Sequence, residues 1–201
     1  MRLETISNDG LFSGKKVIVI HGYTASPASH WFPWLKEVLT EQGAEVKIPE
    51  LPESSAPNPD AWAKTFMDIA SDIDENTIII GHSLGCITTL RHLEAIRTEA
   101  LRIGGYIWVA GCGSAQETLP ELDAFFTNEP LDYIYLRGLT ENRVSIISAN
   151  DEIVSPQSSY DLAHALQTEI ITIDNGGHFL DRDGFTRLLP VYDALVAMVS
   201  K

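Results

Sequence analysis

Residues 77–90 read TIIIGHSLGCITTL, a β-branched apolar run that gives way to small residues around Ser83 and then to apolar positions at helical spacing. A buried strand that ends in Gly-His-Ser-Leu-Gly and continues as a helix must turn sharply. Gly81 and Gly85 remove the side chains that would obstruct that turn, and the turn pushes Ser83 outward. The reading therefore predicts a strand at Thr77–Gly81, a helix over Leu84–Arg97 and an accessible serine between them.

The same alternation recurs on both sides of this stretch. Five further β-rich runs are Lys16–His21 (KVIVIH), Glu45–Ile48, Tyr106–Ala110 (YIWVA), Arg143–Ser148 (RVSIIS) and Glu169–Ile173 (EIITI). Most are nearly continuous in Val and Ile, as strands covered on both faces are. Helical spacing marks Trp31–Gln42, Pro59–Ile73, Gln157–Gln167 and a last helix that starts near Leu189, beside Pro190, and ends near Val199. Strands alternating with helices predict a three-layer α/β architecture with about six mainly parallel strands. The chain, 1–201, reads as one domain, and the four prolines of Pro49–Pro59 make a stiff surface connection. Gly111–Thr140 breaks the alternation and carries the apolar residues Leu119, Leu122, Phe125 and Phe126; lying after the strand that follows Ser83, it is placed to roof a pocket there.

Composition narrows the function classes. Apolar residues are 44% and charged residues 21% of the chain, which suits a folded globular protein. With 28 Asp and Glu against 14 Lys and Arg, the formal net charge of -14 repels phosphate backbones and anionic membrane surfaces, so neither nucleic acid nor membrane is expected as a partner. The first residues, MRLETISNDGLFSGKK, lack the pattern of a secretory signal, and a cytoplasmic protein is expected. Cys86 and Cys112 form no CxxC pair or His/Cys cluster, so they read as free buried thiols, with no metal site expected.

A serine hydroxyl becomes a nucleophile at neutral pH only beside a base. Of the six histidines, His82 adjoins the serine but points away from a tight turn, His92 and His164 lie in helical patterns, and His21 ends the first strand, where it shapes the loop. His30 also comes early. His178 stands apart, in DNGGHF after the last strand, at the sheet end where ligands bind in open α/β folds. Asp151, in SANDEIVSP past the fifth strand, is the candidate to orient it. Asp174 and Asp181 are nearer to His178 in sequence, but carboxylates on the same short loop are better placed to bond local backbone N–H groups. For an oxyanion, the backbone N–H groups of Leu84 and Tyr23 are the candidate donors, the second brought close by Gly22.

Taken together, VIVIHGYTASPASHWFPWL, IPELPESSAPNPDAW, IIIGHSLG, SANDEIVSP and NGGHFLDRDGF resemble the small serine hydrolases of the α/β-hydrolase superfamily, similar to retinoblastoma-binding protein 9 and its bacterial relatives. The resemblance implies an α/β-hydrolase fold with a minimal cap. It implies hydrolysis of small carboxyl esters with Ser83 as the nucleophile, and with His178 as base and Asp151 to orient it the expected reaction is cleavage of a small carboxyl ester or related acyl bond without a cofactor. Trp31 and Trp34, at helical spacing, read as core. The competing expectation is a non-catalytic protein-binding module on a hydrolase scaffold, which would have no need of Asp151 and His178 at these positions.

Overall fold

The computed structural model describes residues 10–69, 72–126 and 129–200. Six parallel strands form its sheet: β1 (Lys16–Ile20), β2 (Glu45–Lys47), β3 (Thr77–His82), β4 (Gly105–Val109), β5 (Arg143–Ser148) and β6 (Glu169–Ile173), in the spatial order β2-β1-β3-β4-β5-β6. Side chains alternate across this sheet, and that alternation divides the core in two. Val17, Val19, Ile78, Ile80, Ile107 and Val109 face one side, with α1 (Phe32–Glu41) and α6 (Leu189–Val199) over them. Ile18, Ile20, Ile79, Tyr106 and Trp108 face the other, beneath α2 (Pro59–Ile69), α3 (Leu84–Ala95), α4 (Tyr133–Gly138) and α5 (Pro156–Leu166). Buried on both faces, the central strands β1, β3, β4 and β5 need no polar face, which is why they read as nearly continuous apolar runs, whereas β2 and β6 at the sheet edges are only partly buried.

The expected boundaries hold to within a few residues except at α2. That helix was expected to reach Ile73 and is helical to Ile69; residues 70 and 71 lie outside the described ones. Ile73 is already in a loop. Asp74 shapes it, its Oδ1 accepting from the Asn76 N–H at 3.0 Å and the Thr77 hydroxyl at 3.0 Å, a local side-chain turn that competes with helix. Pro190 sits in the first turn of α6, where its missing N–H removes no intrahelical bond.

Strand order sets the position of the site. The chain leaves β1 for β2 on one side and returns to β3 on the other, so the loops after β1 and β3 diverge and open a crevice at the carboxyl ends. Pairing of Ile20 with Gly81 brings Gly22-Tyr23 and Ser83 together at that point. Between β4 and β5, the irregular stretch holds a short 3₁₀ turn, Pro120–Phe125, and α4. Leu122 and Phe125 are buried in the core on the α3 side, with Leu119 and Phe126 packed against it.

Candidate active site

Ser83 occupies the turn between β3 and α3 with φ 54° and ψ -123°, a conformation a non-glycine residue holds only when its surroundings impose it. The imposition comes from close packing of the helix start onto β1. A Cβ on Gly85 would stand 2.2 Å from the Ile20 carbonyl oxygen, and one on Gly81 2.8 Å from Cys86 Cα. No larger residue fits either position, so both glycines of the motif are structural requirements of the turn.

The loop after β1 closes on the same point. A Cβ on Gly22 would lie 2.9 Å from Ser83 Cβ and 3.4 Å from the Leu84 nitrogen, so the Gly22-Tyr23 backbone runs directly beside the first turn of α3. Leu84 opens that helix, and its N–H has no intrahelical acceptor. His21 shapes this loop as expected: Nδ1 donates to the Gly22 carbonyl at 2.9 Å and Nε2 accepts from the Leu51 N–H at 3.0 Å. One neutral tautomer satisfies both bonds, and burial lowers the pKa of the ring accordingly.

His178 follows β6, three strands from β3, a separation of roughly 14 Å at the usual interstrand spacing. Its loop therefore has to fold back across the sheet end. Phe179, fully buried with φ 57° and stacked edge-on to Phe185 at 5.3 Å, anchors it in the core. The loop backbone is held from several sides. Ser148 Oγ accepts from Gly176 N–H at 3.1 Å, Asn150 Oδ1 from Gly177 N–H at 2.9 Å, and Asp183 Oδ2 from His178 N–H at 3.1 Å. His82 Nε2 donates to the His178 carbonyl at 2.9 Å. Both backbone polar groups of His178 are thus engaged.

The imidazole meets Asp151, with Nδ1 2.7 Å from Oδ2 and both side chains buried. A carboxylate only accepts, so Nδ1 donates, and in the neutral ring Nε2 keeps its lone pair. Asp151 is itself fixed by two backbone donors, Ile153 N–H at 2.8 Å and Val154 N–H at 3.0 Å, both on Oδ1. Asp181 is turned elsewhere: its Oδ1 accepts from Arg182 N–H at 2.7 Å and lies 3.5 Å from His30 Nδ1. The structure thus brings Asp151, and not Asp181, to His178.

Ser83 and His178 line one cavity of about 470 Å³, together with Tyr23, His30, Leu119 and Arg182 among others. His30, to which the sequence alone assigns no role, borders this cavity with Nδ1 accepting from the Asp181 N–H at 3.2 Å. Burial lowers its pKa, and the Asp181 carboxylate opposes that shift. His82, fully enclosed against His30, Trp31 and Phe32, is held neutral well below the usual histidine range by burial and the neighbouring His178. Nothing local in the sequence marks Asp183, Ser148 or Asn150 as supports of His178, because they act through backbone N–H groups brought near by the fold. Trp31 is core, and Cys86 and Cys112 are free and buried. Among the described residues no group of three or more His, Cys, Asp or Glu side chains clusters as a metal site would.

Residues 17–197 match the sequence model of the family described as serine hydrolase. The chain belongs to the serine hydrolase family. It is 38% identical over 187 residues to the protein named "Putative hydrolase YdeN" of Bacillus subtilis (strain 168), covering 93% of this chain and 97% of that one. To the serine hydrolase RBBP9 of Rattus norvegicus it is 24% identical over 184 residues, 90% of this chain and 95% of that one. The crystal structure of the B. subtilis ydeN gene product superposes with a TM-score of 0.89, covering 93% of this chain and 100% of that one. An α/β-hydrolase fold is thereby shown, with the serine hydrolase match running through β1, β3, β5 and β6. Among the described residues no helix is long and apolar enough to cross a membrane.

Proposed function

We propose that this serine hydrolase cleaves small carboxyl esters through Ser83, His178 and Asp151. The observation that carries the reading is the 2.7 Å bond from His178 Nδ1 to Asp151 in the cavity that Ser83 enters from its constrained turn. Ser83 Oγ attacks the carbonyl carbon while its proton passes to His178 Nε2. The tetrahedral oxyanion is held by the N–H groups of Leu84 and Tyr23. His178 returns the proton to the leaving alcohol oxygen as the C–O bond breaks. Water, deprotonated by the same nitrogen, then attacks the acyl-serine, and the acid leaves with Ser83 restored. Ester and water give acid and alcohol, and the protein's own groups carry every proton.

Esterase chemistry asks for no more than these parts, since general-base assistance contributes roughly 10²–10⁴ and an oxyanion donor roughly 10²–10³ in rate. A fluorophosphonate is the direct test. It should label the wild-type chain at Ser83 and leave Ser83→Ala unlabelled. On 4-nitrophenyl acetate, Ser83→Ala should lose on the order of 10⁴–10⁶ in kcat without a change in unfolding midpoint. A variant that keeps a tenth of the wild-type rate would remove Ser83 as the nucleophile.

A further inference from the structure

Ser83 borders two spaces of very different size and chemistry. One is the cleft of about 470 Å³ described above, which exposes polar side chains including Thr24, Glu152 and Arg182. The other is a side cavity of about 10 Å³ on the same measure, formed by Leu84, Cys112, Leu119, Leu122, Phe126 and Val154. That volume is room for about one water molecule or one methyl group.

The small cavity is apolar in chemistry as well as in outline. Gln116 also borders it, but its amide is already engaged: Nε2 donates to the Ser114 carbonyl at 2.8 Å and Oε1 accepts from Ser155 N–H at 3.1 Å. The Cys112 thiol is pushed up to about 12 by burial, so it lines the space as a neutral group. Among the described residues no charged side chain borders it.

Proton transfer decides which part of an ester goes where. The oxygen that leaves must receive its proton from His178, so the alcohol portion lies on the side His178 occupies. His178 lines the large cleft and is absent from the walls of the small cavity. The acyl substituent, on the other side of the carbonyl carbon, then points toward Leu122 and Phe126. From this two-sided arrangement we infer that the substrates are acetyl esters of polar alcohols, with the acetyl methyl seated in the Leu122–Phe126 cavity and the alcohol in the cleft.

The inference rests on the ester hydrolase reading and sharpens it: acyl size is set by the residues of the segment between β4 and β5. A propyl chain in place of the methyl overfills the cavity, and each methylene of misfit in an apolar pocket is worth roughly 10-fold or more in discrimination. Kinetics on 4-nitrophenyl acetate, butyrate and octanoate, which share one leaving group, test it on the full chain. Wild type should show kcat/KM at least about 10-fold higher on acetate than on butyrate. Phe126→Ala, at a half-buried position, and Leu122→Ala should each lower that ratio by about 10-fold or more, and fluorophosphonate labelling of Ser83 should persist in both. Faster wild-type turnover of butyrate or octanoate, with Ser83 labelled, overturns the inference and leaves the hydrolase reading standing. An unchanged ratio in both folded variants overturns the assignment of the cavity. Absence of both labelling and ester turnover removes the underlying reading and the inference with it.

Discussion

Replacing Asp151 by Asn tests the geometry around His178 more sharply than any other single change. The two carboxylate oxygens have different work: Oδ1 accepts from the N–H groups of Ile153 and Val154, and Oδ2 accepts from His178 Nδ1. An asparagine keeps the shape, and its carbonyl oxygen goes where the two backbone donors are, which sends the NH₂ toward Nδ1. A donor there requires a bare Nδ1, so the proton moves to Nε2, the nitrogen that accepts from Ser83 in the proposed mechanism. Reversing the amide would set NH₂ against two N–H groups, at about 1–3 kcal/mol for each donor left unsatisfied. Holding the productive tautomer by that reversal therefore costs about 2–6 kcal/mol, which converts to a loss of roughly 30-fold to 10⁴-fold in kcat. Purified Asp151→Asn, Asp174→Asn and Asp181→Asn, assayed side by side on 4-nitrophenyl acetate, decide the matter, with urea unfolding to verify the fold. The two controls should stay within about tenfold of wild type. An Asp151→Asn enzyme within tenfold of wild type, or a crippled Asp181→Asn, would refute the reasoning.

Three other outcomes follow from particular contacts. Gly85→Ala places a methyl 2.2 Å from the Ile20 carbonyl oxygen, so it should destabilise the fold by more than about 3 kcal/mol in urea unfolding, and a loss under 1 kcal/mol would contradict the packing described. His82→Phe removes the donor to the His178 carbonyl and should lower kcat by on the order of 10²-fold with KM within about threefold, because His178 shifts while the cleft walls remain; a KM effect alone would mean His82 acts on substrate binding instead. His92, buried against Phe66 with both ring nitrogens unpartnered among the described residues, has its pKa lowered to about 4 by burial. The unfolded chain takes up this proton first as pH falls, so the stability it protects is present above about 6.5 and is lost between about 6.5 and 4, on the order of 3 kcal/mol in all. Urea unfolding of wild type and His92→Leu at pH 7 and pH 5 should show the variant gaining on wild type by on the order of 2 kcal/mol at the lower pH, and an equal difference at both would contradict it.

Much of this protein is legible from local pattern because its physics is local. Unbroken Val/Ile runs require cover on both faces, Gly81 and Gly85 permit only one kind of turn around Ser83, and the order of Ser83, Asp151 and His178 along the chain follows the strands that carry them. Those features survive in one dimension because each depends on neighbours a few residues away. Tertiary structure decided the rest. Asp151 prevails over the nearer Asp181 because strand order sets the end of β5 between Ser83 and the loop of His178, a relation that sequence distance inverts. The supports of His178, from Ser148, Asn150, Asp183 and His82, are side-chain bonds to backbone N–H and C=O groups of its loop, and a backbone polar group leaves no mark in residue identity. The small space beside Ser83 is likewise a matter of how Leu122 and Phe126 close over α3, for side chains of one composition can fill a volume or leave it open, and only their packing in three dimensions determines which.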